Sequence, residues 1–139
     1  LRSPYLRILY EMNISSVYAE QGRWDDALRA ITTATRITRQ SGNRHFAPGC
    51  VTESAVILAG LGDLASGIRL FGAVRNMYKQ IGEEAPQQDL AISERQLRRC
   101  GANPDSEEYR QLYAEGERLT FEAALAEAAA ALEQRASTP

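Results

Sequence analysis

Apolar positions recur three and four residues apart over most of the chain, and no stretch sustains the alternation of a half-buried strand. That period predicts helices. Glycine and proline punctuate it. Helices are expected at about residues 4–21, 24–41, 47–61 and 64–81, with Pro4 and Pro48 in first turns and Gly22, Gly42, Gly62 and Gly82 at the ends. Asp25 or Asp26 is the expected cap of the second helix and Asp63 that of the fourth. After the polar connector GEEAPQQD, Pro86 begins a helix reaching about residue 100, stopped by Gly101. In NPDSEE, Asn103 or Asp105 is the expected next cap, and Asp105 to Glu108 has capping-box spacing. Tyr109, Leu112, Tyr113 and Gly116 give that helix one face. Thr120 caps the last, along which Phe121, Leu125, Ala128 and Leu132 form a stripe.

Part of this pattern repeats. Tyr18, Gly22, Ala27, Ile31 and Ala34 return forty residues later as Leu58, Gly62, Gly67, Phe71 and Val74. The offsets are those of the Tyr, Gly, Ala, Phe and Ala positions of a tetratricopeptide repeat. The physics of the spacing is plain. A glycine that takes the left-handed conformation ends helix A, a small residue on helix B lets the two backbones approach, and a large apolar residue four positions on fills the gap. In a repeat array the concave face carries function, and helix A side chains line it. By register those are Leu9, Met12, Asn13, Ser16 and Glu20 in the first copy, and Thr52, Glu53, Val56 and Gly60 in the second. Met12, Asn13, Ser16, Glu20, Thr52 and Glu53 are the candidate groove for a ligand or peptide. The competing reading has this face packed against a preceding repeat.

Composition narrows the chemistry. The net charge of −2 over 139 residues divides into +2 for residues 1–70 (8 basic, 6 acidic) and −4 for residues 71–139 (8 basic, 12 acidic). That balance favours neither a nucleic-acid backbone nor an anionic membrane. A single histidine, His45, stands in the Gly42–Ala47 connector with no carboxylate or cysteine nearby in sequence, and is expected as an exposed loop residue. Two cysteines, Cys50 and Cys100, fall in different hairpins and are expected as small hydrophobes. Glu83-Glu84 and Glu107-Glu108 are adjacent pairs whose side chains diverge on a helix, so neither makes an acid/base dyad. Trp24 is expected to pack at the inter-helix turn. No catalysis, cofactor, metal or membrane span is expected.

The C-terminal half carries a more specific likeness. Gly82-Glu83 and Pro86 at the connector, Glu94-Arg95 in the next helix, Tyr109 and Tyr113, Ala114-Glu115-Gly116, and the run Leu119 to Ala124 resemble the end of the helical-repeat region in large ATP-dependent LuxR-family bacterial regulators. Related ends occur in nucleotide-binding signalling proteins fused to kinases or cyclases. The likeness covers roughly residues 60–133. The chain departs from it at Ser93, where an aromatic or large apolar residue is usual, and at Ala123, where a second Glu is usual.

That resemblance implies a right-handed α-solenoid of tetratricopeptide-like hairpins, about seven helices, with a C-terminal capping unit. The expected division is two helix pairs over 1–82, a helical cap over 83–133 and a linker or frayed tail over 134–139. Tyr109, Leu112, Tyr113, Phe121, Leu125 and Leu132 are expected on the inner face of the cap. Glu107, Glu108, Glu115, Glu122, Glu127 and Glu133 are expected on its outer face. The chain opens at Leu1 without Met or a signal pattern and reads as a piece of a longer cytoplasmic protein. The implied role is a non-catalytic sensor or protein-interaction module of a transcriptional regulator. It would receive a protein, a peptide, a small effector or another domain of its parent, touch no DNA itself, and leave oligomer formation open. The same module in a signalling kinase or cyclase, or as a free-standing scaffold, is the alternative.

Overall fold

The computed structural model describes residues 3–138, and among them the fold is all-helical, with seven helices and no strand. Leu1, Arg2 and Pro139, at the ends of the first and last expected segments, lie outside the described residues. The helices are α1 (Pro4–Glu20), α2 (Trp24–Ser41), α3 (Ala47–Gly60), α4 (Leu64–Gln80), α5 (Gln87–Arg99), α6 (Glu107–Glu117) and α7 (Phe121–Ala136). Helix α7 runs on to Ala136, so residues 134–136, expected in the tail, are helical.

Four helices end alike on a glycine, Gly22 and Gly62 at the repeat positions and Gly82 and Gly101 after them. Gly22 and Gly62 take φ of 73° and 100°. At the first, the Gly22 N–H donates to the Ala19 carbonyl and the Arg23 N–H to that of Tyr18, at 3.1 and 2.9 Å. At the second, Gly62 donates to Ala59 and Asp63 to Leu58, again at 3.1 and 2.9 Å. This pair of bonds satisfies carbonyls that a helix end would otherwise leave bare.

The starts are less uniform. Asp63 accepts from the Ser66 N–H at 3.2 Å and Thr120 from the Ala123 N–H at 3.0 Å, as expected. Neither Asp25 nor Asp26 caps α2. Arg23 holds that position without a side-chain bond, and both acids fall in the first turn, where they meet the positive end of the helix dipole. Nor do Asn103 and Asp105 cap α6. Ser106 does, accepting from the Tyr109 N–H at 3.1 Å, while Asn103 Oδ1 accepts from the Asp105 N–H one turn earlier. The Asn turn puts the cap three residues after Asn103 and one after Asp105.

Helices α1 and α2 form one antiparallel hairpin and α3 and α4 the next. Helix α3 packs on both members of the first hairpin, and α5 packs on α3, so α1, α3 and α5 lie in a row. Eleven of the 14 residues of α3 are buried, which makes it the central helix, apolar over most of its surface except at Thr52, Glu53 and Ser54. Helix α6 lies along α4, and α7 crosses α2, α3 and α4.

Two crossings depend on glycine. At Gly67 a Cβ would stand 2.6 Å from the Ala55 carbonyl oxygen, so α3 and α4 approach more closely than a merely small side chain allows. Between α4 and α6, a Cβ on Gly72 would strike the Tyr113 carbonyl and one on Gly116 the Arg69 carbonyl. Phe121, 2% exposed, anchors α7 beneath the Arg44 guanidinium, which lies 4.0 Å above its ring. Tyr109, Phe121 and Leu132 of the expected inner face are buried, and Leu112, Tyr113 and Leu125 half-buried against the core. The outer face is not wholly free. Glu127 accepts two bonds from Arg69, each 3.0 Å, and Glu115 stands 3.6 Å from the same guanidinium. Arg69 of α4 thus ties α6 and α7 together from below.

Candidate functional site

The row α1–α3–α5 leaves a cleft of about 400 Å³ on its open side. Met12, Asn13, Ser16 and Glu20 come to it from α1, since positions four apart share a helix face. Thr52 and Glu53 come from α3. The six candidate groove residues therefore line a single cleft. Three other register candidates do not. Val56 is 1% exposed in the core, Leu9 faces solvent outside the cleft, and Gly60 backs onto the indole ring of Trp24.

The third wall comes from α5 and its connector: Pro86, Asp89, Leu90, Ile92, Ser93 and Gln96. The repeat register covered only two copies, so it did not reach this helix. The signal was present in the sequence, because Asp89, Ser93 and Gln96 recur at spacings of four and three. Ser93 is buried at the cleft wall, where its short side chain leaves room an aromatic would fill.

The lining is acidic and partly apolar. Glu20, Glu53 and Asp89 contribute carboxylates, and no Arg, Lys or His lines the cleft. Glu53 is half-buried, and loss of water around its carboxyl pushes its pKa up to about 7, with Glu20 and Asp89 adding like-charge repulsion. Thr52 turns its hydroxyl inward, donating to the Pro48 carbonyl at 2.8 Å. Among the described residues no three His, Cys, Asp or Glu side chains gather closely enough to hold a metal ion. Three carboxylates on one cleft surface with no basic side chain among them can attract cationic groups.

The nucleophile candidates sit elsewhere. Cys50 is buried against Thr38, with Sγ and Oγ1 3.5 Å apart, and burial raises its thiol to about 11. A thiol held neutral in the core is a packing group. Cys100 is half-buried, and burial raises its pKa too. His45 is exposed but has a partner the sequence did not reveal, since its Nδ1 lies 3.1 Å from Glu83 Oε2. Thirty-eight residues separate the two in the chain. The connector after α4 returns beside the one before α3, which only the fold brings about. Among the described residues no helix is long and apolar enough to cross a membrane.

No family model, no curated protein and no solved structure matches this chain.

Proposed function

We propose that the chain is a non-catalytic, tetratricopeptide-like interaction module that receives a peptide segment of a partner in the α1–α3–α5 cleft. The observation that carries this reading is the gathering of Met12, Asn13, Ser16, Glu20, Thr52 and Glu53, chosen by a forty-residue register, along one concave cleft. A solenoid reading is supported by the forty-residue register and by three odd-numbered helices in a row. The buried, neutral Cys50 thiol supports a role without nucleophilic chemistry. On the resemblance of residues 60–133, the module serves as the sensor part of a bacterial cytoplasmic transcriptional regulator and leaves DNA contact to other segments.

The chain provides its own reporter for a test. It has two methionines, Met12 in the cleft and Met77, 1% exposed, in the core. Peptides selected from a random dodecapeptide display library are titrated into the chain labelled at its methionine methyls. Binding in the cleft moves the Met12 resonance and leaves Met77 in place. Selected peptides that bind while leaving Met12 unmoved would put the interaction on another surface and end this reading.

A further inference from the structure

The cleft does not stop at the end of α1. It shares Glu20, Ile92 and Gln96 with a second cleft of about 480 Å³, whose walls also include Gly22, Trp24, Arg95, Arg99 and Cys100. The shared walls set the two clefts side by side along α5, and the pair is called the trough below. Its charge is divided. Glu53 and Asp89 lie in the first half, Arg95 and Arg99 in the second, and Glu20 stands where they meet.

The division is costly to the free protein. Arg95 and Arg99 are one turn apart on the same helix face, a spacing at which like charges repel. Glu53 is crowded by Glu20 and Asp89 in the other half. None of these five side chains takes part in the ion pairs found among the described residues, while their neighbours Glu94 and Arg98 pair with each other at 3.1 Å. Asp89 cannot neutralise the arginines, because six and ten residues of helix set them about 9 and 15 Å away along the axis. Unpaired charges of opposite sign, at a fixed spacing in one trough with Ile92 between them and the Trp24 indole on the arginine side, describe the complement of their occupant.

We infer that the trough holds an extended peptide segment carrying a basic side chain against Glu53 and Asp89 and an acidic side chain, about three to five residues away, against Arg95 and Arg99. The segment between them lies over Ile92 and is apolar, and Trp24 flanks its acidic end. Extended chain covers the 9 to 15 Å in that number of residues at about 3.3 Å each, whereas a helical ligand needs about six to ten. The inference rests on the cleft being the binding site, and it adds the charge pattern and conformation of what binds there.

The test uses the full chain and the same random dodecapeptide library. Peptides that move the Met12 methyl are sequenced, and are expected to share a basic and an acidic residue three to five positions apart. Asp89, Arg95 and Arg99 are exposed, so their reversal leaves the core intact. Combining Arg95→Glu with Arg99→Glu is expected to weaken a selected peptide at least about tenfold, and replacing that peptide's acid by Lys to restore binding to the variant. Asp89→Arg is expected to do the same at the basic position. Cleft-binding peptides without the pair, a pair spaced six to ten apart, or reversals that change affinity less than about twofold would overturn the inference while leaving the cleft as the site. If no selected peptide moves Met12, both fall together.

Discussion

Gly116→Ala sets two known effects against each other at one position. Glycine inside a helix costs about 1 kcal/mol relative to alanine, so propensity alone makes the substitution stabilising. Gly116 lies in α6 where it crosses α4, and a Cβ there would strike the Arg69 carbonyl and come within 3.2 Å of the Ala73 nitrogen. Both are backbone atoms of a packed helix and cannot rotate away. The helices must separate, which loosens Tyr109, Leu112 and Tyr113 from the core they pack against. Overpacking of this kind costs about 1–3 kcal/mol, and a backbone clash belongs at the upper end. The balance is a loss of about 2 kcal/mol. For a domain of this size that is a fall in Tm of about 6–8 °C, measurable by circular dichroism on heating and by urea unfolding. A variant that melts at or above the wild-type temperature would refute the close α4–α6 crossing and the docking of α6 with it.

Three further outcomes follow from the packing and the cleft. Phe121→Ala should cost about 3–5 kcal/mol and visibly lower Tm, because a buried ring leaves a cavity, whereas Glu133→Lys on the exposed face of α7 should leave Tm unchanged; equal Tm values for the two would remove Phe121 as the anchor. Glu127→Lys should lower stability by about 1 kcal/mol in urea titration, since it puts a second cation against Arg69 at a partly exposed site, and an unshifted midpoint would show the pair contributes nothing. Glu53 has its pKa raised in the fold to about 7, so the native state holds a proton that the unfolded chain releases near 4.3. Stability therefore falls as pH rises from about 4.5 to 7 and stays low above; Glu53→Gln should flatten that slope and gain on the order of 1–3 kcal/mol over wild type at pH 8 but little at pH 4, and parallel pH curves for the two proteins would contradict it.

What could be read from residues alone was local or periodic. Helix ends announced themselves because Gly22, Gly42, Gly62, Gly82 and Gly101 all take positive φ, and few other residues do so cheaply. The α1 and α3 walls of the cleft were legible because a fixed register maps onto a fixed face. The α5 wall was legible only as a stripe of Asp89, Ser93 and Gln96, since nothing within five or six residues says which helix such a stripe will meet. The same holds for Gly72 with Gly116, for Arg69 with Glu127, and for His45 with Glu83. These partners stand between 38 and 58 residues apart, and their meeting is a property of the fold. The caps at Arg23 and Ser106 were misjudged for a different reason. At Ser106 an Asn, an Asp and a Ser compete within four positions, and at Arg23 the cap falls two residues before the nearest capping side chain, so in both places backbone geometry decides.

Helix α7 gives the molecule a cooperativity that a stack of hairpins lacks. In a simple array each unit touches only its neighbours, so unfolding can begin at an end and travel inward one repeat at a time. Here the last helix reaches back to α2, about eighty residues earlier, and to α3 and α4 between. Fraying the first hairpin removes the seat of the last helix, and releasing the last helix uncovers the first two hairpins at once. The loss of α2 and the loss of α7 are thereby coupled. Such a return contact also raises the sequence separation of the native contacts and so slows folding, because a long loop must close before the contact stabilises anything. Helix α7 can dock only after both hairpins have formed, and its arrival makes one unit of them.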